Sequence, residues 1–238
     1  MARGSAPRGG TRPLSRVGDA ELVERRRAEI MEAATRLVAR QGFARTVVRE
    51  IAEEANISVG LVYEYVRSKE DILFLIYDHW ARLWCDGLEK AIARGKDPLD
   101  QLMAGVSFLV ATADKQPEVT RLFYRESGHL TEYGTDQAKR AEREMADRLA
   151  AVVEAAVAAE LVRPETDCLA VATSLILLSH GWVLKGHLLR RGRTAASYAT
   201  SLMETAVGGW ATSGGRKAWE RRRSSEARGV NGEGKKSG

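Results

Sequence analysis

An all-α fold is what this sequence predicts, with a small unit of three helices followed by a larger helical one. Apolar residues recur at helical spacing along most of the chain, and no segment sustains the period-two alternation of β-branched residues that marks a strand. Hydrophobic residues make up 44% of the chain and aromatic ones only 6%, so Ala, Leu and Val carry the packing, a composition that favours helices. Proline, which breaks helices, occurs only five times in 238 residues. That length exceeds the needs of one small helical module and leaves room for a second, larger core.

The segment 1–19 is rich in Arg and Gly and has no apolar run, which predicts a disordered basic tail and argues against a secretory leader. A first helix is expected over 20–41, with Val23, Ile30, Ala34, Leu37 and Val38 on one face and Gly42 as its C-terminal stop. The most telling stretch is 46–66. Thr46 is expected to cap a second helix, on which Val48, Ile51, Ala52 and Ala55 share a face, with Ala52 small where two helices must meet. Asn56 falls at the corner, where the chain needs the left-handed conformation that Asn and Gly tolerate. Ile57 plugs the turn and Ser58 is placed to cap a third helix. On that helix Leu61, Val62 and Tyr65 point back, while Val59, Gly60, Tyr63 and Glu64 face outward. This is a helix-turn-helix, the smallest unit that places a helix in a DNA groove, and it occupies a predicted head over 20–67. The alternative, an ordinary pair of core helices, does not account for so many matched positions.

The second predicted unit spans 68–212. Ser68 and Asp71 form a capping box that opens a long helix through Ile72, Ile76, Trp80, Trp84, Leu88 and Ile92 to Gly95. Asp97-Pro98 and Pro117 each start another helix. Residues 127–135 read as a loop or broken helix, the sort of interruption found near a pocket mouth. A long amphipathic helix is expected over 136–160, then two antiparallel helices over 166–190 and 194–212, joined by Arg191-Gly192-Arg193. The apolar area of that last pair exceeds what one helix face needs. It predicts a homodimer through about 166–212, two copies forming a four-helix bundle. The apolar run 168–189 approaches membrane-spanning length, but His180, Lys185 and His187 interrupt it, so a membrane span is not expected. Residues 213–238 are basic and Gly/Ser-rich and read as a second disordered tail.

Composition also narrows the chemistry. Cys85 and Cys168 have no CxxC spacing, so neither a zinc site nor a disulfide framework is expected, and the protein reads as cytoplasmic. The four histidines, His79, His129, His180 and His187, belong to no HExxH, and the chain contains no GxSxG or GxGxxG, so no catalytic, metal or cofactor residues are assigned. The net charge of +5 resembles a nucleic-acid signature, yet acidic and basic side chains nearly balance over 20–66 and the excess lies in the tails.

Residues 26–80 resemble the N-terminal DNA-binding domain of TetR-family transcriptional regulators. The likeness rests on a first helix ending Arg40-Gln41-Gly42-Phe43, a second started by Thr46, and the Ser68-Lys69-Glu70-Asp71 entry to a fourth. The resemblance implies binding of double-stranded DNA as a dimer on a near-palindrome, with Thr46, Tyr63 and Lys69 on phosphates and Val59, Gly60 and Glu64 toward base edges. Arg45, Val47, Arg49 and Ser58 complete the expected contact set. The chain departs from the family's commoner wording at Glu64, often His, and Val66, often Phe. A carboxylate at Glu64 is repelled by phosphate and accepts only from donors such as the cytosine amino group, so specificity is expected to draw on Arg45, Arg49, thymine methyls and DNA shape. The resemblance further implies a repressor with an effector pocket whose occupation moves the fourth helix. Trp80, Trp84, Phe108, Phe123, Tyr124 and Trp182 are the candidate walls, any one of which taken singly reads rather as ordinary core, and His129 and His180 the candidate polar anchors. The expected partner is a small hydrophobic effector or an acyl thioester. The alternatives are an effector-independent DNA-binding protein and, less in keeping with the missing motifs, a helical enzyme.

Overall fold

The computed structural model describes residues 17–66, 68–130 and 132–233, and these form eleven α-helices. The head comprises α1 (Val17–Gln41), α2 (Val48–Glu54) and α3 (Val59–Tyr65). Ile30, Val38, Phe43, Ile51 and Val62 are buried together there with Ile72 and Ile76 from the start of α4 (Lys69–Ile92). Gly42 takes φ +82°, a left-handed value that stops α1, and its N–H donates to the Val38 carbonyl at 2.9 Å. Asn56 takes φ +53° at the corner between α2 and α3, and Ser58 Oγ accepts the Leu61 N–H at 3.2 Å to cap α3.

One expected cap is corrected. Thr46 is buried and donates its hydroxyl to the Gly42 carbonyl at 3.0 Å, so Val47 becomes the N-cap residue of α2. Glu50 supplies the missing acceptor, taking the Val47 N–H at 3.2 Å and the Gln41 amide at 2.8 Å.

The larger unit consists of α4, α5 (Pro98–Lys115), α6 (Pro117–Glu126), α7 (Glu132–Ala158), α8 (Cys168–Leu184), the single turn α9 (Gly186–Leu189), α10 (Ala195–Trp210) and α11 (Ser213–Glu233). Its core is centred on α5, where Leu102, Val106 and Val110 meet Leu88, Leu149, Leu175 and Met203. Ser68, Asp97, Asp167 and Thr194 cap α4, α5, α8 and α10, each accepting a backbone N–H three residues on. The tip of the Phe108 ring occupies the place of a β carbon at Gly87, which lets α4 and α5 approach closely. Among the described residues no helix is long and apolar enough to cross a membrane.

Three segments differ from expectation. The helix foreseen over 166–190 breaks at Lys185, where Arg190 folds back, stacks over the Trp182 ring and pairs with Asp114 at 3.2 Å. The start of α7 at Glu132 lies inside the expected loop, which shrinks to a 3-10 turn at Ser127–His129. The tail expected to be disordered from 213 is instead helical through Glu233. Charge and glycine content hid its anchors. Trp219 is buried, Gly215 packs directly on the Leu161 carbonyl, and Arg222 and Arg223 pair with Asp100 and Glu204. The expected N-terminal tail falls, for residues 1–16, outside the described residues, and Val17–Asp19 belong to α1.

Candidate DNA-binding head and effector pocket

The outward face of α3 is open. Val59, Gly60, Tyr63 and Glu64 are all exposed, and Ser58 and Val47 stand exposed at the entries to α3 and α2. The flanking polar groups are largely committed within the head. Glu54 accepts Arg36 at 2.9 Å and Arg40 at 2.8 Å, and these two guanidinium groups hold its carboxyl below the usual range. Arg49 pairs with Glu53 at 3.3 Å, and Arg45 Nε donates to the Gln41 carbonyl at 2.8 Å. Lys69 Nζ lies 4.6 Å from the centre of the Phe43 ring and donates to the Ala44 carbonyl at 2.8 Å. Lys69 therefore ties the start of α4 to the α1–α2 connection. Thr46, buried and bonded to Gly42, presents no hydroxyl to a phosphate, contrary to expectation.

The effector side is built from four helices. A cavity of about 320 Å³ lies between α4, α6, α7 and α8. Tyr77, Ala81 and Trp84 face it from α4, Thr120, Phe123 and Tyr124 from α6, and Ser127 from the turn that follows. Opposite them stand Ala138, Ala141, Glu142, Met145 and Ala146 of α7 and Thr173, Ile176, Leu177 and His180 of α8. Phe123 stacks on Trp84 with ring centres 4.9 Å apart and on Tyr77 at 4.3 Å, giving one continuous aromatic wall. The Tyr124 hydroxyl and His180 Nδ1 are 3.0 Å apart. Burial pushes the His180 imidazole down to about 4, so it is neutral at physiological pH and the pair is a neutral hydrogen-bonding group. Glu142, still largely open to solvent at the rim, has its carboxyl raised by the apolar walls.

Of the expected effector residues, Trp84, Phe123, Tyr124 and His180 come together here, and the other four do not. Trp80 is drawn toward the head, its indole N–H donating to Thr35 Oγ1 at 2.9 Å. Phe108 fills the space over Gly87. Trp182 points to the opposite side of α8, donating to Asp114 at 2.8 Å and stacking on Tyr198. His129 is exposed, beside Phe43 and 3.8 Å from the Glu126 carboxylate. Sequence reasoning missed Tyr77, although its spacing to Ala81 and Trp84 puts all three on one helix face. Met145 carried a similar signal with Ala138 and Ala141. Thr173, Ile176 and Leu177 carried none, because α8 is apolar on nearly every face.

The cavity and the head share α6. Leu122 of α6 is fully buried in the head core, next to the cavity-lining Phe123. Arg125 donates to the Val38 carbonyl at 2.9 Å as a second donor beside the Gly42 N–H, near the C-terminal end of α1 where the helix dipole favours a cation. The Tyr77 hydroxyl donates to the Phe123 carbonyl at 2.9 Å and lies 3.3 Å from that of Leu122, binding α4 to α6.

Two family models match the chain, that of bacterial regulatory proteins of the tetR family over residues 30–76 and the tetracyclin repressor-like C-terminal domain over 95–185. The HTH-type transcriptional regulator HbdR of Aromatoleum sp. (strain CIB) is 31% identical over 169 residues, which cover 71% of this chain and 73% of that protein. Among solved structures, FadR of Bacillus subtilis in complex with stearoyl-CoA superposes with a TM-score of 0.66 at 16% identity, covering 76% of this chain and 98% of that one. AibR in complex with isovaleryl coenzyme A and operator DNA gives a TM-score of 0.62 at 20% identity, covering 77% and 96%. At those identities the two structures establish the fold, while the family models and HbdR establish kinship: this chain belongs to the TetR family of helix-turn-helix transcriptional regulators, which bind DNA and respond to ligands.

Proposed function

We propose that the protein is a cytoplasmic homodimeric repressor that leaves a near-palindromic operator when a small, mostly apolar effector enters the cavity between α4, α6, α7 and α8. The observation that carries this reading is the shared helix α6, which lines the cavity through Phe123 and Tyr124 and enters the head through Leu122 and Arg125. A ligand that changes the position of α6 or α4 acts directly on the element that carries the reading helix.

On the DNA side, α3 enters the major groove with Val59, Gly60 and Glu64 toward the bases, Tyr63 and Lys69 toward phosphates, and Arg45, Val47, Arg49 and Ser58 along the groove edge. Exposed Leu169, Leu178 and Leu188 on α8 and α9 support pairing with a second copy through about 166–212. Two operator-reading heads would then face successive turns of the duplex.

An acyl thioester is supported as one form of the effector by the coenzyme A thioesters named with the FadR and AibR structures. The cavity walls carry no Lys or Arg among the described residues, so the acyl group would occupy the cavity and the phosphates of coenzyme A would remain outside it. Operator binding measured by fluorescence anisotropy, with and without a panel of acyl-CoAs and neutral apolar molecules, tests both halves. Tyr63→Ala is expected to weaken binding to all duplexes, and full affinity in that variant at physiological salt would refute the docking. Failure of every apolar molecule to release DNA would leave an effector-independent DNA-binding protein.

A further inference from the structure

The recognition helix lacks the side chains that read purines. From Val59 to Tyr65 it runs Val-Gly-Leu-Val-Tyr-Glu-Tyr, with no Arg, Lys, Asn or Gln to make the bidentate contacts that select guanine or adenine in the major groove. Of its neighbours Thr46 is bonded to Gly42, Lys69 to Ala44 and Arg49 to Glu53, while Arg45, at the groove edge, gives its Nε to the Gln41 carbonyl. Part of what the head exposes on this face is apolar. Val47 is 50% exposed and Val59 37%, and a β carbon added at Gly60 would meet nothing closer than Ser58 Oγ at 4.0 Å, so the groove floor can approach the helix there. Facing the groove, these side chains can offer apolar contact to the base edges in place of hydrogen bonds. The one apolar feature on a base edge in the major groove is the C5 methyl group of thymine.

We propose that Val47 and Val59 help identify the operator by van der Waals contact with thymine methyl groups, making them specificity-determining residues of this head. Glu64 reinforces the choice by exclusion. It is exposed, carries only acceptor oxygens and therefore repels the O6 and N7 acceptors of guanine while tolerating an amino group. The inference rests on the docking of α3 described under Proposed function, and the following experiment separates the two.

An operator is first selected from a randomised duplex library, and each thymine is then replaced singly by 2′-deoxyuridine, which removes the methyl and changes no hydrogen-bonding group. Wild-type protein is expected to lose about threefold to fourfold in affinity per contacted methyl, the value of one buried carbon, at one or two positions of each half-site. Val59→Ala should show the same loss on the unmodified operator and become indifferent to uracil at one of those positions, with Val47→Ala behaving likewise at another. Both residues are surface residues of the head, and matching thermal melts of the variants confirm that they fold. Equal affinity of wild type for the thymine and fully uracil-substituted operators overturns the proposal, as does a uracil penalty that persists unchanged in both variants. If the library enriches no duplex, the docking itself is wrong and the methyl readout falls with it. If Tyr63→Ala loses affinity on every duplex while uracil costs nothing, the docking stands and only the methyl readout falls.

Discussion

His180 gives the cavity a measurable pH signature. Its ordinary value of 6.5 is pushed down to about 4 because the imidazole is enclosed by the walls of α4, α6 and α8, where its charged form loses solvation. A base whose folded value is depressed resists protonation that the unfolded chain accepts, so the unfolded state binds more protons between the two values. Stability contributed by the neutral ring is therefore complete above pH 6.5 and is lost as the pH falls from 6.5 toward 4. The full difference corresponds to about 3 kcal/mol, of which about 2 kcal/mol has gone by pH 5. The assay is urea unfolding at fixed protein concentration between pH 5 and 7.5, comparing wild type with His180→Asn. Carboxylates such as Glu142 titrate in both proteins, so the difference between the two curves isolates the imidazole. Wild type is expected to lose about 2 kcal/mol more than the variant over this range. Parallel curves would refute the enclosed, neutral His180 and with it the neutral character of the Tyr124–His180 pair.

Two further outcomes follow from the packing. Gly87→Ala forces the Phe108 ring off α4 and should destabilise the protein by about 1–3 kcal/mol, read as a lower urea midpoint; an unchanged midpoint would mean that the α4–α5 contact is not close-packed. Arg125→Ala removes the charged second donor to the Val38 carbonyl and should speed hydrogen exchange at the C-terminal turn of α1 by about tenfold, the equivalent of one charge-assisted hydrogen bond. Unchanged exchange at Val38–Gly42 would remove the Arg125 bond as a link from α6 to the head and leave Leu122 as the contact.

The head was legible because its constraints are local. A left-handed corner at Asn56, a stop at Gly42 and caps at Ser58 and Ser68 each need a particular residue type at a particular position, and the sequence supplies it. Thr46 misled because threonine upstream of an apolar helix face satisfies the same pattern whether its hydroxyl serves the helix that follows or the turn that precedes, and only burial decides. The cavity was half legible. Aromatic residues were recognisable as large, but whether Trp182 turns toward the cavity or toward Asp114 depends on which way α8 is rotated. A helix apolar on all sides does not encode that rotation. The C-terminal helix escaped notice for a related reason, since one buried Trp219 and two ion pairs to distant Asp100 and Glu204 hold a segment whose composition reads as disordered.

The bonds around α6 constrain how a signal could pass on the proposed mechanism. A fourth helix acting alone as a lever would have to slide past α6, yet Tyr77 bonds α4 to the Phe123 carbonyl. Burial raises the Tyr77 hydroxyl well above its ordinary range, so it remains a donor at any physiological pH. Arg125 joins the same α6 to the end of α1, and Arg27 of α1 lies 3.8 Å from Asp78 of α4. These links close a triangle of α1, α4 and α6. A molecule filling the cavity presses on two sides of that triangle at once, through Trp84 and Phe123, and meets α7 and α8 on the other side. Movement of the triangle as a unit keeps Ile30, Ile51, Val62 and Leu122 packed, whereas opening the helix-turn-helix would expose them. Release would then come from re-spacing two intact heads, and a coupling of about 1–3 kcal/mol, within reach of a few altered contacts at the Trp84–Phe123 wall, is enough for a strong response.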